Sequence, residues 1–403
     1  MNAHWLRLGV LIDSVVCVPA WHRSLNSRFV NDYTTAVGRR ARRVVDCLGR
    51  LIMSCLLRPL CLTLSFLLLS PLLVAEEHSG GVEPAWDPSS YEPYPYPYYV
   101  TDKDRYTAAP APKNTVNRHG ELEHIGDGIF GVHWFVQAKQ AVWHFVTAGD
   151  PKKDVVLFVH GYPDTWYAYA KVMRLLADDY YVIAVDTLGY GQSAKGADVD
   201  VSYSAVAKDL IALLERIDVS RLHLITHDRG SVIADHLLAD ARFSQRVRSF
   251  LRMQQSFDQP HGLPRPPHAQ MATVEFQSRP NLIEGLYSGD YVSVKLPEEE
   301  IERLAWEWGF PGTAEAAART FRGTSFDIER EFRLRHTIPN LTMPVFIVQG
   351  DDDPGQHPEE YAYSAGLLPH GKVVIVDANH FIHAEKPELV ADLARELFSQ
   401  ARP

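Results

Sequence analysis

Short apolar runs that end in polar turns recur along the chain after residue 150. Such runs are typical of strands buried on both faces of a parallel sheet. They occupy residues 154–159, 181–186, 222–225, 344–349 and 372–376. A segment between them shows helical periodicity, with apolar residues at Val206, Leu210, Leu213, Leu214 and Ile217. Alternating strands and helices predict an α/β fold, with a mostly parallel sheet and helices on both faces.

One long segment interrupts this alternation and divides the predicted core. Residues 255–342 contain helical stretches, at 297–308 and 314–332, but no strand-like run. We therefore predict a core built from residues 129–254 and 343–403, into which residues 255–342 are inserted as a helical cap.

The run at residues 222–225 is followed at once by Thr-His-Asp-Arg-Gly and then by a helical pattern. A strand that turns into a helix without a loop forces the residue at the turn into a strained conformation and exposes its side chain at the end of the sheet. The exposed residue here is Asp228. Because Asp before a helix is also a common N-cap, this segment alone leaves capping open as an alternative.

Two later loops supply polar partners for Asp228. An acidic triplet, residues 351–353, follows the run at residues 344–349, and His380 follows the run at residues 372–376. Each loop comes at the carboxyl end of a predicted parallel strand, where the active groups of such sheets collect. Nucleophile, acid and histidine, in this chain order, form one known type of catalytic triad.

Residues 131–398 resemble the α/β-hydrolase superfamily, in the branch that contains epoxide hydrolases, haloalkane dehalogenases and fluoroacetate dehalogenases. The motifs HGYP, GYGQS, HDRG, GDDDP and NHFIHAEKP match that branch in order. The resemblance implies Asp228 as the nucleophile, His380 as the general base and Asp353 as the acid that orients the base.

The resemblance also implies an oxyanion hole formed by the backbone N–H groups of Tyr162 and Arg229. An aspartate nucleophile suits attack on an sp³ carbon, because a carboxylate is ionised at neutral pH and needs no base in the first step. Water that His380 has deprotonated would then hydrolyse the ester formed on Asp228.

The cap departs from the epoxide hydrolase pattern. The two cap tyrosines that protonate the departing alkoxide in those enzymes align with Ala272 and Phe326. Tyr287 and Tyr291 lie nearby in the sequence and are the predicted substitutes. His160, in the HGYP motif, is also predicted to contact the substrate.

Residues next to the predicted nucleophile bear on the leaving group. Fluoroacetate dehalogenases share HDRG, and their Arg binds the substrate carboxylate; Arg229 fits this role, although Val232 replaces their second Arg. A salt bridge under the cap is the alternative role of Arg229. Thr226 and Asn379 also stand where the family usually has glycine, beside the nucleophile and the histidine.

The charge distribution bears on the partners. The chain carries a net charge of −10, and residues 1–75 hold nine Arg and three Asp, a net of +6, which leaves −16 for the remainder. An acidic main body argues against nucleic acid and anionic membrane surfaces as partners. All four cysteines lie within residues 17–61, so the rest of the chain has no disulfide and no cysteine-ligated metal.

Residues 1–75 predict an export signal or a membrane anchor. Residues 59–75 form an uncharged, Leu-rich run that ends in Leu-Val-Ala before two Glu. Translation from Met53 would make this a cleaved secretory signal, which we favour and which predicts a periplasmic or secreted protein. The alternative is an uncleaved anchor, with the Arg cluster at residues 39–43 on the cytoplasmic side. Residues 76–128, rich in Pro and Tyr, predict a stiff linker.

Together these patterns predict an exported α/β-hydrolase that opens small organic electrophiles, with epoxides as the favoured substrates. The alternatives are a dehalogenase that acts on haloacids or haloalkanes and an inactive hydrolase fold used for binding. The expected partner is a small-molecule substrate, and no cofactor or metal is expected. The sequence leaves a homodimer open.

Overall fold

The architecture was taken from a computed structural model, which describes residues 105–113, 115–258, 268–356 and 358–401. The predicted export segment lies outside the described residues and stays a prediction. Among the described residues, no helix is both long and apolar enough to cross a membrane.

A nine-stranded sheet forms the centre of the fold, in the order β1-β2-β3-β5-β4-β6-β7-β8-β9. The first three strands pair antiparallel, as do β3 and β5, and all the other pairs are parallel. The predicted mostly parallel sheet is therefore confirmed. The strands are β1 Leu122–Gly126, β2 Ile129–Gln137, β3 Val142–Ala148, β4 Val155–Val159, β5 Tyr181–Val185, β6 Leu222–His227, β7 Val247–Met253, β8 Val345–Gly350 and β9 Gly371–Val376.

Helices cover both faces of this sheet. Successive residues of a strand point to opposite faces, and in β4 Leu157 and Val159 belong to one apolar cluster while Val156 and Phe158 belong to the other. The helices of the core are α1 Ala170–Leu176, α2 Tyr203–Arg216, α3 Arg229–Leu238, α4 Ala241–Ser244, α11 Pro358–Ala365, α12 Ile382–Glu385 and α13 Pro387–Ser399, with a 3-10 turn at Trp166–Tyr169. The first cluster includes side chains of α2 and α3, and the second includes side chains of α1 and α13.

The segment between β7 and β8 contains helices and no strand in its described residues. A third apolar cluster joins it to the loops at the carboxyl ends of the strands. The predicted helix at residues 314–332 is two helices, because the first ends at Gly323, a residue type with low helix propensity. The cap helices are α5 His268–Met271, α6 Val274–Gln277, α7 Leu282–Tyr287, α8 Glu298–Trp308, α9 Thr313–Arg322 and α10 Phe326–Phe332, followed by a π-helical turn at Arg333–Thr337 and a 3-10 turn at Ile338–Asn340.

The end of the predicted linker belongs to the folded core. Strand β1 lies within residues 76–128, and Tyr106, which precedes it, is buried. The Tyr106 hydroxyl lies 3.0 Å from that of Tyr181, in the central part of the sheet. The composition of the segment concealed this because its Pro-rich stretch, which ends at Pro112, dominates the residues before the short strand at Leu122.

Candidate functional site

Asp228 stands where β6 turns into α3, and its backbone is strained. Its φ of 44° and ψ of −120° are rare for a residue with a side chain. Two glycines allow the end of β4 and the loop that follows it to lie close against this turn. A Cβ at Gly161 would lie 2.6 Å from Cβ of Asp228, and one at Gly230 would lie 2.2 Å from the carbonyl oxygen of Val159. The local packing therefore holds the strain in place.

The side chain of Asp228 makes no capping hydrogen bond to its own helix. Its Oδ1 instead accepts a hydrogen bond of 3.0 Å from the backbone N–H of Tyr162, in the loop after β4. The N-cap alternative left open by the sequence therefore does not explain this carboxylate. The N–H group of Tyr162 lies where the sequence predicted one oxyanion-hole donor.

Loops after β8 and β9 bring Asp353 and His380 to Asp228. His380 Nδ1 lies 2.9 Å from Oδ2 of Asp353, and its Nε2 lies 3.9 Å from Oδ2 of Asp228. The other oxygen of Asp353 accepts hydrogen bonds from the backbone N–H groups of Gly355 and Gln356. The three residues predicted as a triad thus meet at the carboxyl end of the sheet.

The electrostatics of these groups follow from burial and pairing. Burial lowers the pKa of His380, but the carboxylates of Asp353 and Asp228 outweigh it and raise the pKa to about 8. Burial also works against ionisation of Asp353, yet His380 and the two backbone donors hold the pKa of this carboxyl below its usual value. At neutral pH, Asp353 is therefore a buried anion that favours the protonated imidazole.

Gln254 joins the two loops that carry the acid and the histidine. It follows β7 with a positive φ of 49° and is fully buried. Its amide N–H donates to the carbonyl of Asn379 at 2.6 Å, and its Oε1 accepts from the N–H of Gly350 at 3.2 Å. Gln254 was not predicted as a site residue. Its only signal in the sequence was a polar side chain at the end of the predicted core segment 129–254.

The two positions that depart from the family glycines have their own contacts. The hydroxyl of Thr226 lies 2.7 Å from that of Ser231 in α3, which satisfies a polar group buried under the turn from β6 to α3 at Asp228, which we call the elbow. The amide of Asn379 donates to the carbonyl of Asp290 in the cap at 2.9 Å. Asn379 therefore links the histidine loop to the cap.

The cap places the two candidate tyrosines differently. Tyr287 is fully buried, and its hydroxyl donates to Oδ1 of Asp164. Tyr291 is half-buried, its ring lies edge-on to His380 with centroids 5.8 Å apart, and its carbonyl accepts the N–H of His380 at 3.2 Å. Of the two residues, only Tyr291 contacts a member of the predicted triad.

Arg229 and Phe326 form a pair beside the elbow. The guanidinium lies 4.6 Å from the ring centroid of Phe326 and 5.6 Å from that of Phe321, both in the cap. Such cation–π contacts hold a guanidinium without neutralising its charge. Ala272, the other aligned position, offers its backbone carbonyl to Arg322.

His160 is held by the protein itself. The residue is buried, its Nδ1 lies 2.8 Å from the carbonyl oxygen of Gly161, and its Nε2 accepts the N–H of Thr187 at 3.0 Å. Both ring nitrogens therefore stabilise the loops that follow β4 and β5. The predicted substrate contact of His160 gains no support from this placement.

Known proteins share this fold. The family model described as alpha/beta hydrolase fold matches residues 154–387. Epoxide hydrolase 4 of Mus musculus is 22% identical over 294 residues, which cover 67% of this chain and 80% of the mouse protein. Fluoroacetate dehalogenase of a Burkholderia species is 37% identical over 89 residues, which cover 21% of this chain and 29% of that protein.

A solved structure gives the same result at the level of the fold. An epoxide hydrolase of Vigna radiata superimposes with a TM-score of 0.56 at 19% identity, covering 67% of this chain and 98% of its own. The family model spans more than half of the sequence. The chain therefore belongs to the α/β-hydrolase fold family, and it is a hydrolase of that superfamily with epoxide hydrolase and dehalogenase relatives.

Proposed function

We propose that the protein hydrolyses epoxides through an ester formed on Asp228. The observation that carries this proposal is the strained carboxylate at the elbow, with Oδ1 on the N–H of Tyr162 and Oδ2 facing His380. This arrangement leaves Oδ2 as the attacking atom. Oδ1 becomes the carbonyl oxygen of the ester and stays on its donor.

In the first step, Oδ2 of Asp228 attacks an epoxide carbon and the bond from that carbon to the epoxide oxygen breaks. The electron pair stays on the oxygen, which must gain a proton to become a hydroxyl. Tyr291 is the proposed donor. Burial raises the pKa of its phenol, with nearby carboxylates adding to the shift, so the group is protonated at neutral pH.

In the second step, neutral His380 takes a proton from water through Nε2, and the hydroxide attacks the ester carbonyl carbon. The negative charge that develops on Oδ1 is stabilised by the N–H of Tyr162 and, as the family implies, by that of Arg229. The bond to the alkyl oxygen then breaks, and the diol leaves with the proton held by His380. This leaves Asp228 as a carboxylic acid, whose proton passes through solvent to the phenolate that Tyr291 became in the first step. Asp228 is thereby restored as a carboxylate and Tyr291 as a phenol.

Arg229 supports a second candidate, a haloacid dehalogenase. A half-buried guanidinium beside the elbow could bind the carboxylate of a haloacid, and the segment shared with the Burkholderia fluoroacetate dehalogenase favours this reading. The first step would then expel a halide, which leaves with the electron pair of the carbon–halogen bond and needs no proton. The second step would be the same, except that the proton left on Asp228 would be released to solvent.

The test is to trap the ester. His380→Gln should alkylate Asp228 but fail to activate water, so intact-mass spectrometry should show a retained adduct that peptide mapping assigns to Asp228. An epoxide adds its whole mass, whereas a haloacid adds its mass less that of the hydrogen halide. Asp228→Asn is the matched control and should stay unmodified. If a folded His380→Gln protein gains no adduct from either class of electrophile, the proposed mechanism is wrong.

A further inference from the structure

Three polar side chains meet in the interior below the triad: Asp164, His227 and His383, which we call the Asp-His-His cluster. All three are at most 1% exposed. Nδ1 of His227 lies 3.6 Å from Oδ2 of Asp164, and Nε2 of His383 lies 3.4 Å from the same oxygen. The three atoms all lie within 4.8 Å of one another.

The atoms that face one another here lack hydrogen-bond partners. Within the part of the chain that the structure describes, this holds for Oδ2 of Asp164, Nδ1 of His227 and Nε2 of His383; the other ring nitrogen of His383, Nδ1, also lacks a partner. Buried polar groups are rarely left in this state, because each loses its contacts with water and gains nothing in return. Several such atoms that converge in one place point to a bound species that satisfies them together.

The outer contacts of the cluster orient its inner atoms. Nε2 of His227 lies 2.9 Å from the carbonyl oxygen of His380, which can only accept. In the neutral imidazole the proton is therefore on Nε2, and the lone pair of Nδ1 points toward Asp164. The second oxygen of Asp164 accepts the hydroxyl of Tyr287. Metal-binding His and Asp residues are held by outer contacts of this kind.

We propose that the Asp-His-His cluster binds a divalent transition-metal ion, with Zn²⁺ as the best match. Two imidazole nitrogens and one carboxylate oxygen suit Zn²⁺, whereas Mg²⁺ and Ca²⁺ prefer oxygen ligands throughout. Ligand atoms about 2.0–2.1 Å from a tetrahedral Zn²⁺ lie roughly 3.3–3.4 Å apart. The separations of 3.4 and 3.6 Å from Asp164 therefore need little adjustment, whereas the two imidazole nitrogens, which lie within 4.8 Å of each other, would move closer together around the ion.

The proposed ion has a structural role and does not depend on the reaction assigned to the triad. It would join the loop after β4, the end of β6 and helix α12, which carry Asp164, His227 and His383. Its ligand His227 donates to the backbone of His380, so the ion would stabilise the histidine loop. No metal was expected from the sequence, because these ligands are far apart along the chain and form no spacing motif.

The experiment uses the full chain without a histidine tag, stripped with a chelator and then titrated with Zn²⁺ and, separately, with Co²⁺. We expect the Asp-His-His cluster to bind one equivalent of Zn²⁺. The midpoint of thermal unfolding should rise as the Zn²⁺ concentration increases. Co²⁺ should give the intense visible bands of a tetrahedral site. His383→Gln should lose this equivalent of bound Zn²⁺, the visible bands of Co²⁺ and the rise in the unfolding midpoint.

His223→Gln is the matched control, since His223 is also a buried imidazole but is bonded to Ser249, outside the cluster. It should keep all three responses. The difference between the two variants separates this site from metal held by the four N-terminal cysteines. Should His383→Gln fail to fold, X-ray absorption at the zinc edge of the wild type decides, because the cluster requires two imidazole ligands. If His383→Gln binds as many equivalents of Zn²⁺ as the wild type, or if the wild-type spectrum lacks imidazole ligands, the proposal is overturned and water is left as the occupant.

Discussion

Nε2 of His380 lies 3.9 Å from Oδ2 of Asp228, whereas Nδ1 lies 2.9 Å from Oδ2 of Asp353. The imidazole is thus hydrogen-bonded to one carboxylate and separated from the other by more than a hydrogen-bond length. In the neutral form of His380, Asp353 holds the proton on Nδ1 and leaves the lone pair of Nε2 directed at Asp228. In that form Nε2 can accept a proton from water, while Oδ2 of Asp228 remains available to attack the substrate.

The pKa of His380 predicts how ester hydrolysis depends on pH. Only the neutral imidazole can take a proton, and its pKa is about 8, so the hydrolysis rate should rise with pH and level off above this value. The negative charge of Asp228 helps raise the pKa of His380, and alkylation removes this charge. The pKa of His380 in the ester should therefore lie below that in the free enzyme. Single-turnover reactions that are quenched and analysed by mass would give the rates of alkylation and of ester hydrolysis at each pH. A hydrolysis rate that falls as pH rises would contradict the assignment of His380 as base.

Asp353→Asn should separate the two steps. The neutral amide cannot hold the His380 tautomer or stabilise the imidazolium, and the comparable change in serine proteases lowers kcat by about 10⁴-fold. We expect ester hydrolysis to fall by about 10³- to 10⁴-fold while alkylation of Asp228 continues, so the adduct should accumulate. The exposed neighbour Asp351 supplies the control, because Asp351→Asn should leave turnover nearly unchanged. Equal losses in both variants would mean that Asp353 does not orient the base.

Arg229→Gln tests which electrophile the site prefers. If the guanidinium binds a substrate carboxylate, its loss removes a charge-assisted contact, and KM for a haloacid should rise by about 10- to 100-fold. KM for a neutral epoxide should change little. Steady-state kinetics on both substrates would show the split. Arg242→Gln, at a side chain that is 94% exposed, should alter neither value. Equal effects on both substrates would assign Arg229 to the packing of the cap.

The sequence was sufficient to predict how Asp228, Asp353 and His380 come together. Each follows a buried apolar run, and the carboxyl ends of parallel strands lie on one edge of a sheet, so chain order and strand ends decide the placement. The strained turn at Asp228 was also predictable from the sequence, because a strand passes into a helix with no loop between them.

The contacts made by the cap and the polar interior could not be predicted in this way. Tyr287 and Tyr291 are four residues apart, yet one bonds Asp164 and the other contacts His380, because helix α7 ends at Tyr287 and the chain turns. Gln254 escaped notice because its partners are on loops about 100 residues away. Such contacts depend on how distant loops pack, which local periodicity does not encode.

Asp235→Asn should destabilise the junction between core and cap. Asp235 in α3 lies between Arg252 of β7, at 2.7 Å, and Arg333 of the π-helical turn, and all three are buried. Asparagine would leave two buried guanidinium groups without a counter-charge, at a cost of about 3–5 kcal/mol in the free energy of unfolding. Denaturant titration would measure the loss. Asp392→Asn breaks an exposed pair with Arg395 and should have little effect; a similar loss in both variants would refute the argument.

Glu123→Gln should weaken the protein in a pH-dependent way. Burial opposes the charge of this β1 side chain, but Arg303 of α8 and His133 of β2 outweigh it and lower the pKa from 4.5 to about 2. A lowered folded-state pKa gives stability that is complete above 4.5 and is lost as pH falls toward 2. The separation of these two values corresponds to a contribution on the order of 3 kcal/mol.

Urea unfolding of wild type and Glu123→Gln at several pH values should therefore show the full difference in the free energy of unfolding at pH 7, and this difference should close near pH 2. Glu396→Gln, at an exposed pair with Lys372, should show almost no difference from wild type. A difference that widens as pH falls would mean that Glu123 is not held as a carboxylate by these partners.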